Sequence, residues 1–160
     1  MGRTIGLSYN AEHRLTALTD PTGHVVRFAY DEAGRNLISD TDPNGGVMNY
    51  FYDDIRGLTS IIDRRGNILI SNTYDATDRV VSQTNGRGFT TGLAYNTPTT
   101  GDTSITDPRG GTMIHTHDPF FRLIAETDPL GHKIQYVYDD DNNYTQIIDK
   151  NGRTDHRVHL

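Results

Sequence analysis

Aspartate, asparagine and histidine cluster at several points of this chain, and each cluster has the atoms to hold a cation or move a proton. The segment "DTDPNG" (40–45) sets oxygen-bearing side chains at alternate positions with glycine sixth, the opening of a calcium-binding loop. Its twelfth position is Phe51, where such a loop needs a bidentate glutamate, so the segment reads as a turn. "DDDNN" (139–143) puts Tyr144 in the glycine place and reads the same way. His115 and His117, two residues apart on a strand, would share a face and could ligate a metal through neutral imidazoles, with His132 one strand over. Both also fill positions held elsewhere by Leu, Phe, Tyr or Asn, which favours packing over ligation. His156 and His159 would fall on opposite faces, which disfavours a joint site. A glycosidase needs two carboxylates ~5–10 Å apart in a cleft. The aspartates here recur in equivalent turns, which argues against one tuned pair. The chain has no cysteine, no Gly-x-Ser-x-Gly, no phosphate-cradling loop and no zinc-protease motif. No catalytic, cofactor or metal residue is assigned. The candidates for ligand binding are His115, His117, Tyr136 and Tyr138.

The elements that position these groups announce themselves by repetition. Tyr followed by Asp or Asn occurs at Tyr9, Tyr30, Tyr52, Tyr74, Tyr95 and Tyr138, with His117-Asp118 filling the gap. Asp-Pro-x-Gly or a relative opens at Asp20, Asp42, Asp63, Asn85, Asp107, Asp128 and Asp149. Both landmarks recur every 21 or 22 residues, which makes a repeat protein of seven units. Each unit reads as a β-hairpin. In its reversing turn proline presets φ, aspartate bonds nearby backbone and glycine takes positive φ, as in Asp42-Pro43-Asn44-Gly45, Asp107-Pro108-Arg109-Gly110 and Asp128-Pro129-Leu130-Gly131.

Counting back by twos from each Tyr-position residue traces one face of a returning strand. That face reads Ile5-Leu7-Tyr9, Val26-Phe28-Tyr30, Met48-Tyr50-Tyr52, Ile70-Asn72-Tyr74, Thr91-Leu93-Tyr95, Met113-His115-His117 and Ile134-Tyr136-Tyr138. Side by side these residues form an apolar and aromatic band across the sheet, in which each cross-strand pair contributes about 0.2–1 kcal/mol. The tyrosines are packing residues first.

The pattern Tyr-Asp-x-x-Gly-Arg followed by Asp-Pro-x-Gly resembles the YD repeat of the RHS (rearrangement hotspot) family. The best single match is "YDEAGRNLISDTDPNG", from Tyr30 through Asp31, Gly34 and Arg35 to Gly45, and the resemblance covers essentially the whole chain. The first-turn glycine is kept only at Gly34; His13, Arg56, Asp78, Phe121 and Asn143 stand in related places. The resemblance implies an antiparallel strip of hairpins that spirals into a hollow shell. In bacterial toxin systems such shells enclose a toxic polypeptide, and related proteins at animal cell surfaces serve adhesion. The repeats are implied to be scaffold. Such shells commonly end in a core segment with a self-cleaving aspartate pair; nothing after Asp149 resembles it.

Composition agrees with an ordered, hydrophilic β-protein: 34% hydrophobic residues and a mean hydropathy of −0.63, yet 9 Tyr and 5 Phe. The net charge of −6 with scattered basic residues excludes a nucleic-acid footprint, and no apolar run approaches a spanning helix. The first ten residues lack the apolar core of a signal peptide. The expected fold is all-β: tandem antiparallel hairpins over residues 2–160, with units starting near 9, 30, 52, 74, 95, 117 and 138. The expected form is one long sheet curled into a partial or complete shell or barrel, since open sheets rarely exceed about 10 strands. The chain reads as a segment, beginning and ending on a returning strand, too short to enclose a folded cargo alone. It needs no cofactor. Its expected partners are further repeats or a toxin cargo of a larger secreted or cell-surface protein. The alternatives are glycans stacked on exposed aromatics, or copies of itself paired through edge strands.

Overall fold

The structure is a computed structural model that describes residues 3–156. Fifteen strands and no helix form among these residues, and the strands follow one another in chain order without a crossover. Every described pairing is antiparallel. The chain divides into two compact units, one ending at Phe89 and one starting at Thr90.

The first unit holds β1 (Gly6–Tyr9), β2 (Leu15–Thr19), β3 (Val25–Tyr30), β4 (Leu37–Thr41), β5 (Val47–Tyr52), β6 (Leu58–Ile62), β7 (Ile68–Tyr74) and β8 (Val80–Asn85). The second holds β9 (Thr90–Tyr95), β10 (Asp102–Thr106), β11 (Thr112–His117), β12 (Leu123–Thr127), β13 (Lys133–Tyr138), β14 (Tyr144–Ile148) and β15 (Thr154–His156). Among the described residues β1 pairs only with β2 and β15 only with β14. Among these residues β1 and β15 are not paired with each other, so the strand order is not closed. His159 lies outside the described residues.

Register places the predicted band on one face. Leu18 lies opposite Leu7 and Val26, Ile61 opposite Tyr50 and Ile70, and Ile105 opposite Leu93 and Met113. These residues are half-buried, apart from the more exposed Leu7 and Met113. Ala125 is the one apolar residue among those described that is fully buried. A second packed layer would bury the band; here it lies in a single sheet with one face only partly shielded.

Two features were not foreseen. The first is a β-bulge beside the Tyr position in six hairpins, where the register slips between Ser8/Tyr9, Ala29/Tyr30, Phe51/Tyr52, Thr73/Tyr74, Thr116/His117 and Val137/Tyr138. The residue inserted in the partner strand is Thr16, Ile38, Thr59, Val81, Ile124 or Thr145, β-branched in each case. A bulge bends its strand and raises local twist, so the six act as a repeated twisting device. The hairpin after Tyr95 keeps its register and closes instead with the longer loop 96–101.

The second is that turns of both types share one five-residue geometry, except that the Asp31 turn closes one residue later, with Asp31 N donating to Asn36 O (3.0 Å). In Asp42–Gly46 the Asp42 amide donates to Gly46 O (2.9 Å), Gly45 N donates to Asp42 O (3.0 Å), and Asp42 Oδ1 accepts from Asn44 N and Gly46 N (2.8 and 2.9 Å). Asp118–Arg122 repeats all four bonds without a glycine. Outside the 96–101 loop the fourth residue has positive φ: glycine in the reversing turns, and Gly34 (64°), His13 (61°), Arg56 (74°), Asp78 (63°) and Phe121 (63°) after Tyr-Asp or its variants. In the last such turn the residue is Asn142 (69°), fourth from Asp139, and not Asn143, which instead closes the ring with its carbonyl.

Candidate functional site

The Tyr face is where side chains that could do chemistry come together, and most are consumed in joining hairpins. The Tyr30 hydroxyl donates to Leu15 O (2.9 Å), Tyr52 to Leu37 O (3.0 Å), Tyr74 to Leu58 O (2.8 Å) and Tyr138 to Leu123 O (2.9 Å). Each acceptor is the first residue of the preceding strand, just before the bulge, where its carbonyl lies beyond the regular ladder. The phenol therefore supplies a bond the backbone lacks. His117 takes the same place with Nδ1 3.4 Å from Gly101 O. Repetition revealed the tyrosines as packing residues; their hydroxyl role needed the bulge, which the sequence did not display.

Replacing Tyr52 by phenylalanine is expected to cost about 1–2 kcal/mol, since it leaves the Leu37 carbonyl without its donor. Tyr9, whose side chain makes no such bond among the described residues and is 57% exposed, provides the control. Tyr9→Phe is expected to be neutral in the same urea titration; equal effects at both sites would show the hydroxyl bond to be irrelevant.

Along the outgoing strands, the band position two residues before each reversing turn alternates in chemistry. It reads Leu18, Asp40, Ile61, Gln83, Ile105, Glu126, Ile147. Each polar member has a partner on the same face. Asp40 is 8% exposed; its carboxylate accepts from the Tyr50 hydroxyl (2.7 Å) and pairs with Arg64, whose Nε also reaches Asp42 Oδ2 at 2.8 Å. Burial and the Asp40 carboxylate push the Tyr50 hydroxyl up to about 12. Gln83 Nε2 donates to Asn72 Oδ1 (3.0 Å), and Asn72 Nδ2 shares the Leu58 carbonyl with Tyr74. Glu126 lies opposite His115 in register and beside Tyr136, whose hydroxyl is raised first by burial and then by that carboxylate. The 43-residue interval between the three polar groups, two repeats long, is legible in the sequence once the face is known.

The four ligand-binding candidates lie in the second unit. His115 Nε2 sits 3.2 Å from Met113 Sδ, and His132 is held by Asp128 at 2.9 Å rather than turned toward His115. Among the described residues no three His, Asp or Glu side chains converge on a point where a metal could be held. Tyr136 and Tyr138 are half-buried. Tyr144 packs against both, with ring centroids 5.7 and 4.7 Å away, and the Arg122 guanidinium lies 4.8 Å from the Tyr138 ring centre. Burial, then Tyr144, pushes the Tyr138 hydroxyl up to about 12. The flat surfaces a sugar would stack on are thus occupied by Arg122 and Tyr144 at Tyr138.

A family model, the RHS repeat, matches residues 9–47 and 122–154. Among solved structures the chain is similar to one of the Photorhabdus luminescens Tc holotoxin pore carrying a TccC3 D651A mutation, at 18% identity and a TM-score of 0.58, over 78% of this chain and 7% of that one. Crystal structures of TcdB2-TccC3 and of TcdB2-TccC3-Cdc42 also match, each at 18% identity and a TM-score of 0.41, over 91% of this chain and 7% of theirs. The first likeness bears on the fold, and in each case the chain spans a small part of the protein it matches. No curated protein matches.

Proposed function

We propose that this chain, which carries RHS repeats, is a non-enzymatic scaffold: a segment of a larger β-shell that encloses or presents a polypeptide cargo, a toxin foremost. One observation carries the reading. The Tyr face is amphipathic, only half-buried and cross-linked hairpin to hairpin by tyrosine hydroxyls, so its groups hold the sheet together instead of converging on a reacting centre. Residues 2–160 act as one array of seven units, and the alternation of apolar and polar band positions lines the sheet without making it adhesive throughout. A lining of that kind suits a polypeptide held loosely. The larger protein works outside the producing cell, secreted or at its surface.

The test is a graft. Residues 9–52 replace two hairpin repeats in an RHS-repeat shell that protects a polypeptide from protease. Continued protection is the expected result. A shell that folds, by circular dichroism and electron microscopy, but lets its cargo be digested would overturn the reading.

A further inference from the structure

One turn of the second unit carries two aromatic side chains that its geometry does not require. Asp118–Arg122 carries Phe120 and Phe121 where the sister turns carry Glu12-His13, Ala33-Gly34, Ile55-Arg56, Thr77-Asp78 and Asp141-Asn142. Phe120 is 78% exposed and Phe121 88%, so neither buries appreciable surface. Phe121 also sits at φ 63°, a conformation that a bulky side chain adopts only against a steric cost. The turn needs that φ, as its sisters do at His13, Arg56 and Asp78, but it does not need a ring there, and two adjacent exposed aromatic rings mark an interaction surface.

Beside the Phe120 ring lies a cleft of about 380 Å³ lined by Phe120, Arg122, Asp140 and Asn142. That volume is within the range of ligand sites, about 300–1,000 Å³. The two turns that supply its lining, residues 118–122 and 139–143, carry Asp118, Asp139, Asp140 and Asp141 against Arg122. Arg122 is committed, with Nε 2.7 Å from Asp118 Oδ2 and its guanidinium between the Phe120 ring (5.4 Å) and the Tyr138 ring (4.8 Å). Asp140, Asp141 and Asn142 are exposed.

We propose that this cleft is a docking site for a cationic, apolar peptide segment of a partner protein, lysine or arginine alternating with aliphatic residues. Aliphatic groups cover the phenylalanines, a basic head approaches a ring face by cation–π attraction, and the aspartates supply the field that orients it. An anionic partner, including an acidic lipid surface, meets repulsion. A second copy of this chain, at net charge −6, is disfavoured for the same reason.

The test uses isothermal titration calorimetry with a short peptide alternating lysine and leucine. A glutamate–leucine peptide of equal length and a set of neutral oligosaccharides are the comparison. The lysine peptide is expected to bind, weakening as salt rises, while the glutamate peptide is not. Phe120→Ala with Phe121→Gly should weaken binding about tenfold, from the loss of two ring contacts. Asp140→Asn with Asp141→Asn should weaken it and flatten the salt dependence. Phe121→Gly alone relieves the strained φ, so it should raise Tm while lowering affinity. A stabilised Phe121→Gly protein with undiminished affinity would overturn the proposal. So would equal binding of both peptides, no binding of either, or salt-insensitive binding of an oligosaccharide instead.

Discussion

Arg64→Ala is expected to destabilise the first unit by about 3 kcal/mol, the largest effect of any single substitution on the Tyr face. Asp40, 8% exposed between Phe28 and Met48, keeps only the Tyr50 hydroxyl on its carboxylate when the guanidinium is gone. Asp42 loses its partner too, but it stays in its turn, where Asn44 N and Gly46 N still donate to it. Arg64 is 34% exposed, which places the cost at the lower end of what breaking a buried pair commands.

The neighbouring repeats indicate the rescue. Leu18 and Ile61 occupy the same band position as Asp40. Asp40→Leu with Tyr50→Phe and Arg64→Met should therefore restore the stability or exceed it, because an apolar replacement carries no desolvation penalty. Hydrogen exchange over residues 37–64 is the suitable readout, since repeat arrays open locally. If Arg64→Ala costs under about 0.5 kcal/mol, the pair behaves as a surface ion pair and the argument from burial is wrong.

This pair also marks where the sequence stopped being readable. The hairpins, their turns and the Tyr face could be read because each rests on a local rule: period two on a strand, Asp-Pro-x-Gly at a reversal, one beat along the chain. The bulges could not. One inserted residue between Ala29/Tyr30 and Ser39/Leu37 leaves no trace in the landmark spacing, because it is built into every repeat but one. Without the bulge, neither the free Leu37 carbonyl nor the purpose of the Tyr52 hydroxyl could be derived. Arg64 was hidden for another reason. It stands where Asp-Pro-x-Gly turns have proline and reaches back across the sheet to a residue 24 positions earlier. The ligand candidates His115, His117, Tyr136 and Tyr138 were read from residue type and strand spacing, which do not show what each side chain touches. The structure places them in the band among Gly101, Met113, Tyr144 and Arg122, with the exposed aromatic pair one turn away at Phe120 and Phe121.

A second large effect is expected from acid. Asp20, Asp31, Asp42, Asp63, Asp75, Asp102, Asp118 and Asp128 are all held below the ordinary aspartate range. The leading cause is a hydrogen bond into the carboxylate: from the Thr22 hydroxyl at Asp20, the Arg35 amide at Asp31, the Gly46 amide at Asp42 and the Asn67 side chain at Asp63. The Thr77, Thr99 and His132 side chains lead at Asp75, Asp102 and Asp128. At Asp118 desolvation, which raises the value, is outweighed by the bonds from Arg122 and Phe120. A carboxyl more acidic in the folded chain than in the unfolded one stabilises the fold above its unfolded pKa, about 3.9. That contribution is lost as pH falls through the lower folded values. Tm should hold steady down to about pH 5 and drop steeply below about pH 4, with all the turns weakening together. Asparagine already does the same work at two turns, where Asn10 Oδ1 accepts from Arg14 N (2.9 Å) and Asn85 Oδ1 from Arg87 N (2.9 Å). Asp→Asn at positions 31, 63 and 128 should therefore keep the turns closed at neutral pH and move the acid transition to lower pH. Thermal melts from pH 7 to pH 2, at low and high salt, decide the matter. Hydrogen bonds within a turn are insensitive to screening, so the transition should stay put as salt rises. A transition that follows the salt instead would assign acid lability to long-range charge, and an unshifted transition in the triple variant would remove the turn aspartates from the cause.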